Sequence, residues 1–182
     1  SHSLPEGFFR DVDSIHIVAC GTAMHAGMVG KSLLEKLARV PVEVEGASEY
    51  RYRDPIFSPH QLVIVISQSG ETADTLAALR LCKKHGVPVL AVVNVTGSSI
   101  AREADIVLYT YAGPEIAVAS TKAYSVQTGV LYLLAIRIAM EKGRISEEQA
   151  AFYVDRLQEA IELTHEALKA DEKAKELSAI LK

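Results

Sequence analysis

Ser67-Gln68-Ser69-Gly70-Glu71-Thr72 places three hydroxyl side chains, an amide and a glycine in six consecutive positions. Leu62-Val63-Ile64-Val65-Ile66, continuously apolar, leads into it, and a stretch of helical character follows. A strand that turns through such a loop into a helix can capture an anion. The helix start offers unpaired backbone N–H groups and a partial positive charge. Ser67, Ser69 and Thr72 add hydroxyl donors, and Gly70 lets the backbone bend close to ligand oxygens. The loop holds no Lys or Arg, and the pattern G-x-x-x-x-G-K-[ST] is absent from the chain. One phosphate monoester therefore fits better than a nucleoside triphosphate. A second loop of related type, Cys20-Gly21-Thr22-Ala23, follows another apolar run. Ser, Gly and Thr also serve as plain turn and cap residues at strand-to-helix junctions, so spacing alone leaves both roles open. Asp74, in the first helical turn, complements the helix dipole but would oppose a bound phosphate unless it points away.

These loops need a scaffold that brings them together. Five β-rich runs, at 15–19, 41–45, 62–67, 87–94 and 106–111, alternate with helical stretches at 24–38, 73–85 and 98–104. Residues 62–66 and 87–93 are continuously apolar, which fits strands buried on both faces of a parallel sheet. The alternation predicts an α/β three-layer sandwich with right-handed crossovers. Its five-stranded parallel sheet is expected in the flavodoxin-like order 2-1-3-4-5. Ligands of such sheets bind beyond the carboxyl ends of the strands, at the point where strand order reverses. In this order that point lies between strands one and three, so the two hydroxyl-bearing loops should be neighbours. Gly86 stands where a helix C-cap glycine belongs.

Beyond Tyr111 comes an irregular segment, 112–122, and then a long apolar helix, 123–141. Val126, Val130, Leu134 and Ile138 recur every four residues, a face to be buried by the sheet or by another chain. Gly143 stops that helix. Ser146-Glu147-Glu148-Gln149 supplies a cap and an acidic first turn for another, at 147–168, and a last helix is expected at 172–181. Residues 1–14 read as a lead-in whose Ser1-His2-Ser3 resembles a cloning remnant. Residues 15–145 read as the binding domain, and 146–182 as a C-terminal helical connector.

Composition removes several functions. There are 19 Lys and Arg against 23 Asp and Glu, a net charge of −4, with no basic stripe. A hold on a nucleic-acid backbone wants the opposite balance. Cys20 and Cys82 lie 62 residues apart with no metal-ligand spacing, which fits free thiols in a reducing cytosol. No metal site is expected. The most apolar stretch, Val130 to Ile136, is seven residues long, whereas a bilayer span needs about 20. A cytoplasmic protein without membrane contact is expected.

Several segments together resemble one family. They are Cys20-Gly21-Thr22, then Ala47-Ser48-Glu49-Tyr50-Arg51-Tyr52-Arg53, the ten residues Ser67 to Leu76, Asn94-Val95-Thr96-Gly97-Ser98-Ser99, and Glu115 to Ala123. The pattern is similar to the isomerase region of the glutamine–fructose-6-phosphate aminotransferase (isomerising) family, the glucosamine-6-phosphate synthases, whose fold is the sugar-isomerase (SIS) fold. The resemblance covers most of residues 15–140. It implies that Ser67, Gln68, Ser69 and Thr72 hold the phosphate and that Gly21 and Thr22 form the first substrate loop. It also implies that Val118, Ala119 and Ser120 line the sugar chain. The family commonly has Ser where this chain has Ala23.

The resemblance further implies an enzyme that makes glucosamine 6-phosphate for amino-sugar biosynthesis, without metal or organic cofactor. Its partners would be a hexose 6-phosphate, a glutaminase domain, a second SIS domain and a second copy in a homodimer. The family's enediol base, ring-opening histidine and sugar-engaging lysine lie in the second SIS domain, so no catalytic residue is expected in this chain. Two other readings remain. A stand-alone sugar-phosphate isomerase would carry its own catalytic Glu and His, and no matching helix motif is found. A sugar-phosphate-sensing regulator would add a basic helix-turn-helix, and none is found. His25 reads as a surface or helix-facing residue, Cys20 as a small buried packer, and Glu115 with Lys122 as an ion pair or site wall.

Overall fold

The computed structural model describes residues 4–116 and 120–180. Ser1-His2-Ser3 and Leu181, named above, lie outside the described residues. The chain divides into two compact units, Ser1–Ile145 and Ser146–Lys182.

In the first unit, β1 (Ser14–Ala19), β2 (Val42–Gly46), β3 (Gln61–Ser67), β4 (Val89–Val93) and β5 (Ile106–Tyr109) form one sheet. All pairings are parallel, in the order β2-β1-β3-β4-β5. This is the expected 2-1-3-4-5 arrangement. Every residue of β3 is buried, as its unbroken apolar run requires for a central strand. Alternate side chains feed two cores. On one face, Ile17, Val44 and Ile66 approach Gly27 of α1 (Thr22–Leu37). On the other, Val18, Val63 and Val65 join Ala47, Leu79 and Ile100. Those three come from α2 (Ala47–Tyr52), α3 (Ala73–Lys84) and α4 (Ser99–Glu103). The second core leaves one helical layer there, and α1 with α5 (Lys122–Glu141) makes the other.

Local chemistry sets several boundaries. Helix α3 ends where Gly86 N–H bonds the Lys83 carbonyl and Val87 N–H bonds that of Cys82, a Schellman closure. The expected strand 87–94 shortens to β4. Pro88 has no N–H to donate, and only its carbonyl joins the ladder, accepting from Val63. Asn94 leaves the ladder at the other end, where its Oδ1 accepts from Thr110 Oγ1 and Ala112 N–H. Helix α2 was read only as a motif. It has six residues and no apolar periodicity, and tertiary packing holds it. Tyr50 is fully buried, its hydroxyl 3.5 Å from Cys82 Sγ and its ring 4.9 Å from His16.

The buried stripe of α5 differs from the expected row. Ala123, Gln127, Leu131, Leu134, Ala135 and Ile138 are buried, while Val126 and Val130 are half-buried. The buried row is itself spaced by four, Ala123, Gln127, Leu131, Ala135 and Ala139, flanked by Leu134, Ile136 and Ile138, so the buried face is centred one residue, about 100°, from the expected row. A Cβ added at Gly30 would stand 2.9 Å from Leu131 Cδ1, so α1 and α5 approach closely. By length and composition α5 passes as a bilayer span, with mean hydropathy 1.3 over its most apolar window and 44% of that window buried. Its continuously apolar centre is the seven residues 130–136.

The second unit contains α6 (Glu147–Leu168) and α7 (Asp171–Ile180). Ser146 Oγ accepts from Gln149 N–H, and Gln149 Oε1 accepts from Ser146 N–H, completing a capping box.

Candidate functional site

The register Ala19↔Ile66 puts the ends of β1 and β3 side by side. The loops that leave them border a cavity of about 260 Å³. Thr22, Ser67, Gln68, Ser69, Thr72 and Ser120 line it, as expected from sequence. Gly21 stands one residue behind the wall, as N-cap of α1, with φ 57° and ψ −133°. That conformation is open to glycine and costly for other residues. Val118 and Ala119 lie outside the described residues.

The loop organises its own donors. Ser67 Oγ accepts from Gly70 N–H at 3.0 Å and lies 3.0 Å from Thr72 Oγ1. Ser69 Oγ accepts from Glu71 N–H at 3.2 Å. A hydroxyl carries one proton and two lone pairs. The Ser67–Thr72 pair uses one proton between its members and leaves one to give. Ser69, already an acceptor, keeps its proton free. Neither α1 nor α3 has a side-chain cap, although Met24 N–H in the first turn of α1 already bonds the Gly21 carbonyl. Gly70 holds φ +68°, and its carbonyl accepts from Ile100 N–H, docking the loop on the next βα connection.

Two acidic residues beside the loop are turned to other partners. Asp74 pairs with Arg51 at 2.9 Å, which answers the concern that its charge would face a phosphate. Glu71 accepts from Ser99 N–H at 2.7 Å, and that bond holds its carboxyl below the ordinary range. It is not a wall residue.

Cys20 and Gln127 belong to the wall without being site candidates from sequence, and Glu115 takes the site-wall alternative of its two readings. Cys20 is half-exposed and lines the cavity, its Sγ 3.8 Å from Thr75 Oγ1, rather than being a buried packer. Glu115 is also in the wall. Its Oε2 accepts from Ala123 N–H at 3.2 Å and lies 3.5 Å from Ser120 Oγ, so it caps α5 instead of pairing with Lys122. Gln127 completes that side at 2% exposure. Only its position on the buried stripe of α5 could have revealed it. Among the described residues the wall has no Lys, Arg or His. Also among them, no three His, Cys, Asp or Glu side chains group as metal ligands. His25 is exposed and outside the wall.

The chain matches the SIS domain family over residues 8–137. Glutamine–fructose-6-phosphate aminotransferase [isomerizing] of Clostridium tetani is 56% identical over 168 residues, covering 92% of this chain and 28% of that protein. The protein of the same name from Symbiobacterium thermophilum is 54% identical over 172 residues, with 94% and 28% covered. Among solved structures, the C-terminal domain of glucosamine-fructose-6-phosphate aminotransferase from Francisella tularensis aligns with a TM-score of 0.89 at 45% identity. That alignment covers 92% of this chain and 48% of the other. The chain thus spans under a third of these curated relatives.

Proposed function

The chain belongs to the SIS domain family, and on that premise we propose that it holds the phosphate end of a hexose 6-phosphate within a glutamine–fructose-6-phosphate aminotransferase. The observation that carries this is the arrangement of Ser67, Ser69 and Thr72. Ser67 and Ser69 accept locally, Thr72 shares one proton with Ser67, and at least two protons remain for a ligand at the edge of a cavity. Two uncapped helix starts add N–H groups and positive dipole ends. A dianionic ester can be held this way without a cationic side chain. A 260 Å³ space suits a single small ligand of hexose phosphate size.

In the whole enzyme the substrates are fructose 6-phosphate and glutamine, and the product is glucosamine 6-phosphate for amino-sugar biosynthesis. This piece contributes binding and orientation. The proton transfers between adjacent carbons belong to general acid-base groups of the second SIS domain, and the ammonia to the glutaminase domain. The enzyme works in the cytoplasm as a homodimer without metal or organic cofactor. Alone, the chain binds sugar phosphate and catalyses nothing. Appearance of glucose 6-phosphate when fructose 6-phosphate is incubated with the 182 residues alone would refute that.

Calorimetric titration with fructose 6-phosphate tests the site. Ser67→Ala with Ser69→Ala removes two hydrogen bonds to a charged acceptor, about 1.5–3 kcal/mol each. The Kd should rise at least a hundredfold. Unchanged affinity in a folded double variant would reject the loop as the phosphate holder.

A further inference from the structure

Gln127 is 2% exposed, stands on the stripe that otherwise buries Ala123, Leu131, Leu134, Ala135 and Ile138, and lines the cavity. Its carboxamide makes no hydrogen bond with any described residue. Among the described residues the sealed, unpartnered side-chain atoms are His16 Nε2 and Ser98 Oγ; the amide atoms of Gln127 are not among them and open onto the cavity, where a ligand can reach them. An apolar residue would fill the same place on α5 without a polar group to satisfy. The neighbouring polar groups are committed: Glu115 Oε2 is bound to Ala123 N–H and approached by Ser120 Oγ. Gln127 is thus an uncommitted carboxamide, with two donor hydrogens and an acceptor oxygen, in a wall shared with Ser67–Thr72.

Accepting the phosphate-loop reading above, we infer that Gln127 is a specificity-determining residue that hydrogen-bonds the polyol part of the bound sugar phosphate. A hydroxyl needs an acceptor and a donor at once, and a carboxamide supplies both. A phosphate oxygen uses donors only. Gln127 therefore distinguishes a sugar phosphate from phosphate itself.

The test compares fructose 6-phosphate with inorganic phosphate by titration on the 182-residue chain, wild type and Gln127→Met. Methionine keeps the length and removes the hydrogen bonds. The expected result is a tenfold or greater loss for fructose 6-phosphate, about 1.4 kcal/mol, with phosphate affinity held within twofold. Thermal melting should show the variant as stable as wild type or more so, which a structural role for the amide would not allow. On wild type, the Gln127 side-chain N–H₂ signal in nitrogen-15 NMR should move with fructose 6-phosphate and stay still with phosphate. That measurement stands even if the variant fails to fold. Equal losses for both ligands, no loss for either, or a motionless signal would overturn the inference. A wild type that binds phosphate with no added affinity for the sugar would overturn it and leave the loop reading standing. A wild type that binds neither overturns both.

Discussion

Gly70→Ala isolates the geometry on which the loop depends. A Cβ at Gly70 would stand 2.0 Å from Ser98 Oγ and 2.5 Å from Ser98 Cβ, at a backbone φ of +68°. Two costs follow. The left-handed conformation penalises an L side chain by about 1–2 kcal/mol. Overpacking against Ser98, itself 3% exposed, adds about 1–3 kcal/mol. The single variant should lose about 2–5 kcal/mol of unfolding free energy, the sum of those two ranges. Ser98→Gly separates the terms. Ser98 makes no side-chain cap to α4, and its buried Oγ has no hydrogen-bond partner. Its replacement by glycine alone should cost a few tenths of a kcal/mol, as at other N-caps. In the Ser98→Gly background Gly70→Ala should retain only the conformational part. The coupling energy should be about 1–3 kcal/mol. Urea unfolding, followed by circular dichroism at constant m-value, reads all four corners of the cycle. Equal costs in both backgrounds would show that the loop does not rest on Ser98. A cost below about 0.5 kcal/mol would refute the strain as well. Fructose 6-phosphate affinity should fall with Gly70→Ala and partly return in the double variant.

Arg51→Met should weaken phosphate binding about two- to fivefold, because it frees Asp74 beside the loop, and the loss should shrink as salt rises. Asp74→Asn should leave affinity equal or better, and a weakening there would contradict the assigned role of Arg51. His16 is 4% exposed among Glu43, Glu45, Arg53, Tyr50 and Gln61. Burial lowers its pKa below 6.5, against the pull of Glu43 and Glu45 and assisted by Arg53. The unfolded chain then binds the proton more readily than the folded one. Stability is full above pH 6.5 and falls as pH drops toward the lower folded value. Unfolding free energy measured from pH 7.5 to 5 should decline with a limiting slope of about 1.4 kcal/mol per pH unit. A folded His16→Gln variant should show less of that slope, and an identical slope would remove His16 as its source.

The sheet and the geometry of the hydroxyl-bearing loop were legible because their signals are local. Leu62–Ile66 can only be a strand covered on both sides, and Ser67–Thr72 carries its turn chemistry and its donors in consecutive residues. Once the strand order is known, the meeting of the Cys20 and Ser67 loops follows from topology. Of the rest of the wall, Ser120 and Glu115 were legible, whereas Gln127 was not, since it stands on a helix some sixty residues downstream of the loop. The expected row through Val126, Val130, Leu134 and Ile138 does not contain Gln127. The buried row one residue along, Ala123, Gln127, Leu131, Ala135 and Ala139, does contain it, and a polar group in a buried row is the informative exception. Asp74 teaches the same lesson in reverse. Its charge looked hostile to a phosphate until α2, a helix with no sequence periodicity of its own, brought Arg51 against it. Local sequence therefore specifies the hydroxyl-bearing loop proposed to hold the anion, while residues distant in sequence decide the field around it.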